Sequence, residues 1–191
     1  GVDLKKLNQS KREINDIPVI LWNHRWEYDK NPELFFRTLI RLKDEGIDFR
    51  LILLGEAYKD KPDVFSNERY MLKDKIIHSG FCQDLKVYSE LLNSADILPV
   101  TSVQDFFGVS VMEAVYCNCY PILPDRLAYK EIYSSHTNPS IFYDTDKDLY
   151  KKLKCAIATY AELPSYRRLT EDYDWSIMSL KYDEILSELT H

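Results

Sequence analysis

Several common classes of protein are excluded by what this chain lacks. No apolar run approaches the roughly 18 residues needed to cross a bilayer, and no signal-peptide pattern opens the chain. The four cysteines, Cys82, Cys117, Cys119 and Cys155, form no CxxC pair, and no histidine stands at zinc-finger spacing from them. Buried thiols in a reducing compartment, the cytoplasm, are therefore expected, with no metal site. The formal net charge of −6 provides no broad positive field for phosphodiester backbones, so any nucleic-acid contact must be local or lie elsewhere. Internal repeats and low-complexity tracts are also missing.

What is present reads as one globular domain. A chain of 191 residues, 45% hydrophobic and 29% charged, is long enough for one well-buried core. The polar opening, residues 1–16 and chiefly Lys5 to Asp16, reads as a linker, and residues 17–191 as the domain. An apolar strand at 17–22 precedes a helix that starts at Pro32, with Asn31 as its cap, and stops at Gly46. Strands at 49–55, 75–80, 96–100, 119–123 and 140–143 then alternate with helices at 62–72, 84–93, 108–117 and 127–132. Two further helices, 146–162 and 175–189, follow. This alternation predicts an α/β fold, a Rossmann-like doubly wound parallel sheet of about six strands covered on both faces. Ligands of such sheets lie at the carboxyl ends of the strands near the switch point, here the loops after residues 22, 55, 80 and 100.

The segment VTSVQDFFGVSVMEAVYCNCYPILPD, residues 100–125, occupies one of those loops and the helix after it. Glu113 falls about 40° around the helix axis from Val109 and from Cys117, on the apolar side, where a carboxylate is costly unless something pairs with it. Asp105 stands too far ahead of the first apolar helical residue for a plain cap. Gly108 lets amides at the helix start approach a phosphate, with Phe106, Phe107 and Val109 around it. Glu113 then lies roughly 7.5 Å further along the helix. A sugar nucleotide has the matching layout of sugar, diphosphate and ribose, and carboxylates accept hydroxyl pairs well.

The loop LWNHRWEYDKNPE, residues 21–33, adds Arg25 and Lys30, an arginine fork and a point charge for phosphate, with His24 beside them. Taken alone, Lys30 reads as a solvated surface residue. Gly55-Glu56 and Gly80-Phe81-Cys82 end two neighbouring strands and could flank a base, with Glu56 read either as a partner for the donor edge of a guanine or as a solvated acid. Asp144-Thr145-Asp146 reads as a helix cap rather than a metal motif. His78, within a strand, reads as a satisfied structural histidine, and His136 lies in a polar loop. Lys151, Lys152 and Lys154 read as an exposed helix face.

The spacing Asp105-x7-Glu113 with Gly108 inside it resembles the acid-x7-Glu motif of retaining glycosyltransferases of family 4, which have the two-domain GT-B fold. Arg25 and Lys30 are similar to that family's diphosphate-binding pair. Gly1-Val2-Asp3-Leu4 resembles its segment leaving the N-terminal domain, and Asp174-Trp175 the start of its last helix. The blocks WNHRWEYDKNPE, DFFGVSVMEAVYCNCYP and AYKEI resemble most closely those members that move mannose from GDP-mannose onto queuosine in tRNA. One departure is Asp105, where the family usually has Glu.

The resemblance implies the donor-binding, C-terminal half of a retaining hexosyltransferase that uses a nucleotide sugar and no metal or other cofactor. Arg25, Lys30, Asp105 and Glu113 would serve the reaction: the first two on the diphosphate, Asp105 on the sugar, Glu113 on the ribose. The tRNA acceptor would be held mainly by an N-terminal domain outside this chain, toward which helix 175–189 would pack, with no membrane involved. Two other readings stay open: a family 4 transferase using a UDP-sugar on a lipid or glycan, and a non-catalytic interaction module with the same fold.

Overall fold

The computed structural model describes residues 1–7, 14–56, 62–126, 128–134 and 137–189. The elements run β1 (Val19–Asn23), α1 (Pro32–Asp44), β2 (Arg50–Leu54), α2 (Val64–Met71), β3 (Ile76–Gly80), α3 (Leu85–Ser94), β4 (Ile97–Pro99), α4 (Val109–Tyr116), β5 (Tyr120–Pro124), α5 (Tyr129–Ile132), β6 (Phe142–Tyr143), α6 (Asp146–Ala158), α7 (Arg168–Glu171) and α8 (Trp175–Leu189). The six strands form one parallel sheet in the order β3-β2-β1-β4-β5-β6. The expected doubly wound sheet is thus present, with its switch point between β1 and β4.

Strand alternation sorts the apolar side chains onto two faces. Val19 and Leu21 of β1 join Ile52, Leu54, Leu98 and Leu123 in one core, closed by Val111, Met112 and Val115 of α4. Ile20 and Trp22 join Leu51, Leu53, Ile97 and Ile122 in the other, closed by Phe35, Phe36 and Leu39 of α1 and Leu149 and Leu153 of α6. Every residue of β1 is buried, as the central strand of a sheet covered on both sides must be. β3 is an edge strand with alternating exposure.

Local signals account for the boundaries. Asn31, at φ 49°, accepts the Leu34 amide ahead of Pro32, and Gly46 at φ 76° follows the end of α1, as expected for an Asn-Pro start and a glycine stop. Thr145 caps α6 by accepting from Asp148 N at 3.2 Å, which is the capping expected of Asp144-Thr145-Asp146. The long last-but-one helix ends early: after Ala158 the chain tightens into a 3-10 turn, Tyr160–Glu162. The short helix α7 was not foreseen, because four residues are too few to show a helical period.

Residues 5–7 of the expected linker form a 3-10 turn, and Val2, Leu4 and Leu7 are buried in the α4-side core. Asp174, just ahead of α8, accepts the amide of Leu4 at 3.0 Å and that of Lys5 at 3.3 Å. Positions 8–13 of that stretch lie outside the described residues, as do His136 and Leu127, the expected first residue of α5. α8 buries none of its residues and exposes Trp175, Leu180, Tyr182, Ile185 and Leu189. His78 departs from expectation: its Nε2 is buried, and among the described residues that atom has no hydrogen-bond partner.

No helix among the described residues is long and apolar enough to cross a membrane. Of the four cysteines, Cys117 and Cys119 are buried, Cys82 is partly buried and Cys155 is exposed.

Candidate functional site

A cavity of about 810 Å³ opens at the carboxyl ends of β1, β2 and β4, across the switch point. Arg25, Lys30, Asp105 and Glu113 all line it, together with His24, Gly55, Glu56, Phe81, Cys82, Phe106, Phe107, Gly108 and Val109. Gly80 does not: it ends β3 at φ 129° with open space around it, and the chain turns into the cavity only at Phe81.

The β1 loop is pressed close to the β2 loop. A Cβ at Gly55 would stand 2.2 Å from the His24 carbonyl oxygen, and φ there is 101°, so only glycine fits. Trp26 N–H donates to the Glu56 carbonyl at 3.0 Å, while the Trp22 and Trp26 indoles donate to the carbonyls of His24 and Leu54. Arg25 is exposed and pairs with Glu27 at 3.2 Å.

Lys30 differs from the solvated residue expected of it taken alone. It is 7% exposed because the 3-10 turn Tyr28–Lys30 folds it inward. Its Nζ donates to the Gln104 carbonyl at 2.9 Å and lies 3.4 Å from Asp105 Oδ2 and 3.2 Å from Asp29 Oδ2. A buried ammonium requires such partners.

Asp105 is held by three groups. Its Oδ1 accepts the Gly108 amide at 3.0 Å, and its Oδ2 accepts the Tyr129 hydroxyl at 2.9 Å as well as Lys30. Desolvation pushes its carboxyl up, but the Tyr129 hydrogen bond, the Lys30 charge and the Gly108 amide outweigh this and leave it below the usual range. Asp105 therefore does cap, but it caps the amide of Gly108, itself the left-handed N-cap of α4 at φ 69°. A Cβ on Gly108 would meet Tyr129 Cε1 at 2.8 Å.

His24 is buried beneath this group. Burial, then the Lys30 charge, lower its pKa to about 4, so the imidazole is neutral at physiological pH. Its Nδ1 lies 3.5 Å from Ser110 Oγ, and its Nε2 is buried without a partner among the described residues. Glu113 is partly buried, and desolvation raises its carboxyl despite a hydrogen bond from the Tyr88 hydroxyl at 2.8 Å. That hydroxyl is the pairing that an acid on the apolar side of α4 demanded.

At the rim Phe106 is 87% exposed, and Phe81 and Val109 are also exposed. Phe107 turns inward against Tyr173, ring centroids 5.8 Å apart. Asn23, Asp29, Tyr88, Gln104 and Ser110 line the cavity too, and none was singled out from sequence. Asn23 left one signal, a polar residue closing an otherwise apolar, fully buried strand. Among the described residues no group of three or more His, Cys, Asp or Glu side chains is placed to hold a metal ion. Chemically, the cavity combines fixed cations and helix-start amides for an anion with acceptors on either side for hydroxyls.

Comparisons with known proteins agree with this fold. Over 134 residues the chain is 38% identical to the tRNA-queuosine alpha-mannosyltransferase of Drosophila melanogaster, covering 70% of this chain and 34% of that protein. It is 29% identical over 140 residues to a GDP-mannose-dependent alpha-(1-6)-phosphatidylinositol dimannoside mannosyltransferase of Mycobacterium tuberculosis, covering 69% of this chain and 36% of the other. The chain thus spans about a third of the length of these relatives. Among solved structures it superposes on the C-terminal domain of the glycosyl transferase group 1 protein LpcC from Francisella tularensis, with a TM-score of 0.65 at 20% identity, covering 95% of this chain and 98% of that one. The fold is that of the Rossmann-like half of a GT-B glycosyltransferase. Residues 5–171 match the glycosyl transferases group 1, and the chain belongs to that family.

Proposed function

We propose that this domain binds GDP-mannose and forms the donor half of a retaining, metal-independent transferase that places mannose on queuosine in tRNA. The observation that carries the reading is the cavity at the switch point, which Lys30 and Arg25 line together with the start of α4 and with Glu113 one turn further along. The names of the Drosophila and Mycobacterium relatives support the sugar and its nucleotide, and the first alone supports the acceptor.

The residues divide the work by charge. Arg25, Lys30 and the amides beside Gly108 stabilise the departing diphosphate, since fixed donors are most effective where charge develops. An ionised carboxylate has about four acceptor positions. Three of those on Asp105 are already filled by Gly108, Tyr129 and Lys30, which leaves one on Oδ1 for a single sugar hydroxyl. Glu113 takes the ribose hydroxyl pair, and Phe81 and Glu56 flank the base. The acceptor site lies outside this domain, so the domain alone binds donor and transfers little. A tRNA acceptor fits the cytoplasm.

Calorimetric titration with GDP, UDP, GDP-mannose and UDP-glucose tests the reading, repeated on Arg25→Ala and Glu113→Ala. Saturable GDP binding lost in both variants supports it. A preference for UDP keeps the site but replaces the substrate, while no affinity for any of the four favours an interaction module.

A further inference from the structure

Glu113 is supported by a hydrogen-bond chain that begins on the central strand. The Tyr88 hydroxyl, on α3, donates to Glu113 Oε2 at 2.8 Å and receives Asn23 Nδ2 at 2.9 Å. The same Asn23 nitrogen donates its second proton to the Ser110 carbonyl at 2.8 Å. A phenol has one proton to give, and an amide nitrogen two. Spending the Tyr88 proton on the carboxylate therefore fixes the whole chain in one direction, from Asn23 through Tyr88 to Glu113. The reverse assignment, Tyr88 donating to Asn23 Oδ1, is longer at 3.3 Å and leaves the acid without a donor.

The placement of Tyr88 is itself determined locally. Asp84 caps α3 by accepting the amides of Lys86 at 2.7 Å and Val87 at 3.3 Å. The first turn it sets brings Tyr88 over the start of α4, where the ring also packs on the α4-side core. Among the described residues the Glu113 carboxylate takes no hydrogen bond other than that from Tyr88. The other groups facing this pair are Lys6, whose charge acts on Glu113, and Cys117, which acts on Tyr88. One position on Oε2 is thus taken by the protein, and Oε1 has no partner among the described residues on a side chain that lines the cavity.

We propose that Tyr88, held by Asn23, is a positioning residue that presents Glu113 Oε1 to the vicinal hydroxyls of a nucleoside diphosphate, and so makes the site select ribonucleotides with an intact diol. The inference rests on the donor-site reading above and adds the element that sets its selectivity. Tyr88 lines the cavity beside the acid, and Tyr88→Phe keeps the ring while removing only the hydroxyl that stands between Asn23 and Glu113.

The test is titration of the protein and of Tyr88→Phe with GDP and with 2′,3′-dideoxy-GDP across a range of pH. The parent protein is expected to prefer GDP by about tenfold, the scale of hydrogen bonds to a charged group. Tyr88→Phe should lose most of that preference while its affinity for the dideoxy nucleotide stays within about twofold. The preference should also fade as pH drops through the Glu113 carboxyl, because a protonated acid loses acceptor positions. In Tyr88→Phe it should fade at higher pH, since a donor that favours the anion has gone. Comparing the two nucleotides cancels the titration of the phosphates. Should Tyr88→Phe fail to fold by circular dichroism, Asn23→Ser removes the support one step back and carries the same comparison. A folded variant with the full preference intact overturns the inference, and so does a parent protein that binds both nucleotides equally. A parent protein that binds neither overturns the donor-site reading itself, and the inference with it.

Discussion

The Tyr129 hydroxyl donates to Asp105 Oδ2 at 2.9 Å, and the Tyr129 ring edge fills the space a Cβ on Gly108 would need, 2.8 Å away. One side chain on α5 thus holds both ends of the tetrapeptide that lines the cavity between β4 and α4. Tyr129→Phe keeps the ring and removes the donor. It is expected to cost about 1–2 kcal/mol in chemical denaturation and to weaken GDP binding, because a looser Asp105 no longer fixes the Gly108 amide.

Gly55→Ala should be more damaging. Its backbone conformation disfavours any side chain, and the added methyl would collide with the His24 carbonyl, a backbone atom that cannot swing away. A loss on the order of 3 kcal/mol is expected, seen as a melting temperature roughly 6–12 °C lower.

Lys30→Met tests the burial of the ammonium. A solvated lysine could be replaced without effect on stability. Here Asp105 and Asp29 would lose their cation in a partly buried setting, so a loss of about 2–4 kcal/mol is expected, together with weakened diphosphate binding by calorimetry.

Acid should destabilise the protein in two stages. His24 titrates at about 6.5 when unfolded and at about 4 in the fold. Between those values the unfolded chain binds the proton and the native one does not, so stability falls as pH drops through that window, by about 3 kcal/mol. Asp105, whose carboxyl is depressed in the fold, contributes stability that is present above its unfolded value of 3.8 and lost as pH falls below it. Denaturation midpoints measured down the pH scale should show the first stage vanish in His24→Gln and the second remain.

Much of this architecture was legible in the sequence, and for identifiable reasons. The alternation of short apolar runs with capped helices fixed the parallel sheet, and Asn31-Pro32 and Gly46 marked a helix that runs between them. Asp105, Gly108 and Glu113 could be placed at one cavity because they follow a strand end in a single segment. Tyr88 could not, since it reaches Glu113 from a different helix, 25 residues away in sequence, and an amphipathic helix offers no mark of which ring will cross to its neighbour. Lys30 was misjudged alone because a lysine before a helix looks solvated until the turn that buries it is seen. Gly80 was assigned to the cavity by its place at a strand end, but the edge strand β3 delivers there only the two residues that follow it, Phe81 and Cys82.

The order of the strands also has a kinetic consequence. Each half of the sheet is assembled from neighbours in sequence, whereas the β1–β4 seam joins Val19 to Asp96 across 77 residues. Closing that seam incurs the largest loop entropy in the sheet. The cavity draws Lys30 and Asn23 from one half and Asp105 and Glu113 from the other, so it exists only after the seam has closed. A ligand lying across it acts as a staple: it leaves the folding rate unchanged and slows unfolding, and bound protein should outlast free protein in a forced-unfolding or pulse-proteolysis assay.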